Sequence, residues 1–101
     1  MVSQLIEVAS GLRFPEGSVA LDNGDVALVE IERGTLSRVS PDGNVSVIAE
    51  CAGGPNGAAL DPNGKFYVCN NGGFEWEVVD GFLRSTVQSE QYIGGSIQVV
   101  D

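Results

Sequence analysis

The chain contains no histidine, one methionine and one tryptophan, and five basic residues against fourteen acidic ones. Each shortage excludes something. Without histidine there is no Ser-His-Asp or Cys-His catalytic group and no histidine-bound zinc. The two cysteines, Cys51 and Cys69, lack the spacing of a metal cluster. Buried, reduced thiols are the default expectation for both, and spacing alone leaves a disulfide between them open. A net charge of −9 repels phosphate backbones, so no nucleic acid is expected as a partner. No apolar run is long enough to span a bilayer, which removes the membrane as a partner. The opening "MVSQLIEVAS" has neither the basic start nor the apolar stretch of a signal peptide, and a cytoplasmic location is the simplest expectation.

What is abundant is glycine, fourteen residues, within a chain that is 43% hydrophobic, so many tight turns within a folded domain are expected. Strand-like runs fill the sequence. "VALVEI" (26–31), "TLSRVS" (35–40) and "NVSVIA" (44–49) are rich in β-branched residues and alternate in part. Between them lie "DNGD" (22–25), "ERG" (32–34) and "PDGN" (41–44), whose glycines favour the positive φ of tight reversals. No segment carries a helical period. The fold class read from this pattern is all-β, an antiparallel meander.

Sliding the chain 40 places along itself exposes a repeat. Pro15-Glu16-Gly17 falls on Pro55-Asn56-Gly57, Asn23-Gly24 falls on Asn63-Gly64, and "VALVE" falls on "FYVCN" (66–70). "GTLSRVS" (34–40) then resembles "GSIQVVD" (95–101) at a shift of 61, which places an insertion at about 72–94 in the second unit. Units of roughly 40 residues made of four short strands are the signature of β-propeller blades. Residues 1–101 are therefore read as one partial β-propeller domain. The first blade covers 16–50 and the second, incomplete, covers 56–101. Residues 4–9 are a candidate ring-closing strand. Two blades leave apolar faces and strand edges open, so further blades or self-assembly are expected to cover them.

The repeat places Glu16 and Asn56 at the same point of successive inner strands, each between a proline and a glycine. Proline is tolerated at the first strand position, and glycine lets neighbouring backbones crowd at a hub. A carboxylate and an amide carbonyl converging there are hard oxygen donors of the kind calcium takes, although two donors fall short of a full shell. An ordinary loop acid at Glu16 and a turn-serving asparagine at Asn56 are the plain alternatives.

"GLRFPEGSVAL" (11–21) together with "GPNGAALDPNGKFYVCNNGGFEW" (54–76) resembles the gluconolactonase and senescence-marker-protein (regucalcin) family of six-bladed β-propellers. The likeness runs from about Gly11 to Asp101 and covers the family's first two blades. It implies that Glu16 is a ligand of a divalent metal, most often calcium, and that Asn56 faces the substrate. The remaining ligands and the usual base belong to later blades of that family, so no catalytic residue is expected within this chain. Ser18 stands where many relatives have proline.

Glu30 and Asn70, at equivalent ends of the second strands, are expected near the same mouth, with Asn70 a second substrate-binding candidate. The insertion is expected to cover the opening, with Phe74, Trp76 and Tyr92 as candidate pocket walls, unless these rings pack on the blade side. The implied activity is that of a metal-dependent, lactonase-type hydrolase acting on a sugar lactone or related cyclic ester. The 101-residue piece is expected to be inactive alone. The competing reading is a non-catalytic propeller that binds a ligand or a protein.

Overall fold

A computed structural model describes residues 3–101 of the protein. It is all-β, with no helix among the described residues. The strands are β1 (Pro15–Ala20), β2 (Val26–Glu30), β3 (Thr35–Val39), β4 (Val45–Glu50), β5 (Pro55–Leu60), β6 (Phe66–Asn70), β7 (Phe74–Val79), β8 (Phe82–Gln88) and β9 (Ser96–Val100). They form an antiparallel four-stranded sheet β1-β2-β3-β4, a three-stranded sheet β5-β6-β9 and a two-stranded hairpin β7-β8.

The internal repeat has a structural counterpart in strand register. β2 and β3 pair Val26 with Val39, Leu28 with Ser37 and Glu30 with Thr35. β6 and β9 pair Phe66 with Val100, Val68 with Gln98 and Asn70 with Ser96, which is the same register moved by 40 and 61 places. The hairpin turns match as well. Leu21 N–H donates to the Asp25 carbonyl at 2.9 Å, and Asp61 N–H to the Lys65 carbonyl at 2.9 Å. Gly24 and Gly64, at φ 90° and 86°, supply the left-handed residue each reversal requires. β1 and β5 each carry a register irregularity near the start, between Glu16 and Val19 in β1 and between Pro55 and Gly57 in β5.

The period of two decides which residues meet. In β6, Phe66, Val68 and Asn70 are buried while Tyr67 and Cys69 point outward. Phe66 and Val68 join Ala27, Val29, Leu36 and Cys51 in one cluster, which welds the second sheet to the first. Full burial of side chains of this size contributes about 1.5–3 kcal/mol each.

One expectation needs correction. Cys69 is exposed, because it falls on the outward phase of β6, while Cys51 is buried; both thiols are free. Residues 4–9, read as a strand that would complete a further blade, enter no ladder with β1–β9, and Leu5 and Ile6 stand in solvent. A strand is held by its neighbour's backbone, and no sheet edge reaches this segment. The insertion at 72–94 contains the β7-β8 hairpin, reversing at Asp80-Gly81.

Candidate functional site

β1 and β5 approach each other with almost no space between their backbones. Gly17 adopts φ 56°, and a Cβ built on it would lie 3.1 Å from the Gly57 Cα. Contact this close is open only to glycine. Glu16 and Asn56 immediately precede these two glycines and are both exposed. The backbone contact thus draws together the segments of β1 and β5 that carry these two residues. Among the described residues, no group of three or more His, Cys, Asp or Glu side chains is placed to hold a metal ion. A carboxylate and an amide supply two oxygen donors, short of the six to eight that a calcium shell takes.

An aromatic cluster is built on Phe14, two residues before Glu16. Phe14 has φ 61°, an uncommon conformation for a side-chain-bearing residue, and its ring meets Trp76 of β7 at 5.1 Å between centroids, tilted by 57°. Phe74 completes the cluster edge-on to Trp76 at 6.1 Å. The hairpin therefore leans back onto the residue just ahead of Pro15. Beneath it lies a cavity of about 540 Å³ whose lining includes Trp76, Phe74, Asn70, Gln98, Cys51 and Glu32. Tyr92 is placed differently: its ring lies against the backbone of Gly72, where an added Cβ would collide with it.

Glu30 is fully buried with its carboxylate saturated. Oε1 accepts from the Arg13 backbone N–H and from Arg33 Nε, each at 2.8 Å. Oε2 accepts from Ser37 Oγ at 2.5 Å and Thr35 Oγ1 at 3.2 Å. Burial by itself pushes this carboxyl up. Donation from Ser37, the Arg13 N–H and Arg33, with the Arg33 charge, outweighs burial and holds it below its ordinary value of 4.5. A carboxylate so committed is a poor general base. A depressed folded-state value means that Glu30 stabilises the fold fully above pH 4.5 and loses that contribution as the pH falls through its folded value. Urea unfolding at pH 6 and pH 3 is expected to show a shallower acid loss in Glu30→Gln than in the wild type. Equal losses would place the acid sensitivity elsewhere.

Asn70, also buried, is equally committed. Its carbonyl accepts from the N–H groups of Gly54 at 3.0 Å and Gly72 at 2.9 Å. Its amide donates to the Ala52 carbonyl at 2.8 Å and to Gln98 Oε1 at 3.1 Å. It borders the cavity, yet its polar atoms already have partners within the chain. Burial pushes the Cys51 thiol up, which makes it a poor nucleophile.

The sequence reading missed Phe14 and Gln98. Nothing in "LRFPEG" announces a left-handed residue before proline, but the shift of 61 does place Gln98 opposite Val68 just as Ser37 lies opposite Leu28. Comparison with protein-family models and with curated proteins gave no match.

Proposed function

We propose that the chain supplies two blades of a β-propeller hydrolase of the metal-dependent lactonase type, resembling the gluconolactonase and regucalcin family. The observation that supports this best is the Gly17–Gly57 approach, since Glu16 and Asn56 immediately precede these glycines on β1 and β5. The matching registers of the two sheets support successive blades of one ring. Glu16 would hold a divalent cation, calcium being the one that such hard oxygens suit, and Asn56 would orient a cyclic ester through its amide. The cation's part would be to polarise the ester carbonyl and activate water. Trp76 and Phe74 would wall the opening on the hairpin side and limit water there. The base is assigned to residues outside 1–101, since Glu30 is spent on Arg33 and Ser37. Further blades, or copies of this chain, would cover Ile97, Val99 and the other exposed apolar side chains.

The test is calcium-dependent thermal unfolding at fixed ionic strength. Wild type is expected to gain melting temperature with added calcium, while Glu16→Gln, which removes the charge with little change of shape, is expected to gain at least about tenfold less per unit calcium. A wild type indifferent to calcium would sink the metal site. That outcome would favour the second reading, a non-catalytic binding propeller, which the hairpin cavity supports because neither Glu16 nor Asn56 lines it.

A further inference from the structure

The prolines that open β1 and β5 create a specific problem. Pro15 pairs with Glu30 and Pro55 with Asn70, yet proline has no N–H to give to the ladder. The approach to each inner strand is instead held by a repeated pair of contacts. Ile31 N–H donates to the Phe14 carbonyl at 3.0 Å, and Asn71 N–H to the Gly54 carbonyl at 2.8 Å, equivalent bonds 40 residues apart. The second contact comes from a side chain. Glu30 takes the N–H of Arg13, two residues before Pro15, whereas Asn70 takes the N–H of Gly54, one residue before Pro55. The longer side chain reaches one residue further back.

The partner across the strand compensates. Ser37, on β3, donates to Glu30, and Gln98, at the same register position on β9, accepts from Asn70. A long side chain faces a short one in the first sheet, and a short one faces a long one in the second. Gln98 extends the second arrangement by donating to the Cys51 carbonyl at 2.9 Å, while Arg33 extends the first by donating to the Gly11 carbonyl at 3.2 Å. Both arrangements tie down the chain leading into β1 or β5, and the polar atoms of Glu30 and Asn70 have their partners within the chain.

We propose that Glu30–Ser37 and Asn70–Gln98 are matched clasps: Glu30 and Asn70 are positioning residues that fix where Glu16 and Asn56 begin their strands, and the residue opposite each sets its reach. For Asn70 this replaces direct substrate contact with action through Asn56. The link to ligand binding rests on the proposed function; the clasp itself does not.

The experiment converts the first clasp into the second. Glu30→Asn is expected to speed amide hydrogen exchange over Arg13–Ser18 about tenfold while Ala27–Val29 stay protected, because the short side chain no longer reaches Arg13 and lacks its long partner. The double variant Glu30→Asn with Ser37→Gln is expected to recover most of that protection. In calcium titrations followed by thermal shift, the single variant is expected to bind about tenfold more weakly than wild type, and the double variant to recover. Should Glu30→Asn not fold, Ser37→Ala, which keeps the carboxylate, is expected to give the same local loosening at smaller amplitude. Loss of protection spread evenly over β2 and β3, or a double variant no better than the single one, would overturn the clasp. A wild type without any calcium response would overturn the site reading instead, and the exchange results would still decide the clasp.

Discussion

Leu36→Ala is expected to cost about 3 kcal/mol of stability, within the range for emptying a fully buried leucine position. Leu36 is wholly excluded from solvent on β3, opposite Val29, in the cluster that also holds Phe66 and Val68 of the second sheet. Truncation removes methyl groups from the apolar cluster that joins the two sheets, and the rigid strands on either side limit collapse into the space. With about 1–2 kcal/mol per molar typical of small chains in urea, the midpoint is expected to fall by roughly 2 M. Val47→Ala on β4, which is half exposed, is the control and is expected to cost less than about 1 kcal/mol. The same experiment has a second readout. Trp76 is the single tryptophan, and it sits on the hairpin against Phe14 of the first sheet's approach segment. Its emission and the far-ultraviolet circular dichroism are expected to change together in wild type, as one cooperative unit. In Leu36→Ala the two curves are expected to shift by the same amount. Separation of the curves would mean that the sheets are held together by something other than this cluster.

The parts legible in the sequence are those fixed by short-range pattern. "VALVE" and "TLSRV" read as strands because apolar β-branched residues recur between glycine turns, and they are β2 and β3 within a residue of those limits. The offset of 61 for "GSIQVVD" is legible as β9 pairing with β6, since a repeat fixes register even across an inserted segment. The hairpin was legible in principle: "VVDGFL" is an Asp-Gly reversal between apolar runs, and Gly81 takes φ 81° there. What sequence does not carry is commitment. Glu16 and Glu30 are the same residue type in the same unit, and only the fold shows one exposed and the other saturated by Ser37, Thr35, Arg13 and Arg33. Asn56 and Asn70 differ in the same way. Spacing locates a side chain along a strand, whereas its role depends on which donors the neighbouring strands bring to it. Residues 4–9 make a related point, because a segment becomes a strand only where an edge receives it, and none of β1–β9 pairs with this one.

Gly17→Ala is expected to separate the strain of a left-handed residue from the cost of prising two strands apart. At φ 56° any L-residue other than glycine costs about 1–2 kcal/mol. The added Cβ would also lie 3.1 Å from the Gly57 Cα and 3.4 Å from the Ala58 nitrogen, both backbone atoms with no rotamer by which to yield. β1 and β5 must move apart, and the total is expected to reach about 3 kcal/mol. Gly64→Ala provides the comparison: φ is 86°, but nothing lies within 4 Å of the new Cβ, so it meets the conformational strain alone. About 1 kcal/mol is expected there. The functional consequence follows from the same geometry. Moving β1 from β5 moves Glu16 from Asn56, so Gly17→Ala is expected to lose the calcium-dependent rise in melting temperature at a temperature where it is still folded. Gly64→Ala is expected to keep it. If both variants respond to calcium as wild type does, the contact between the two glycines has no bearing on a cation site, and Glu16 and Asn56 act separately or not at all.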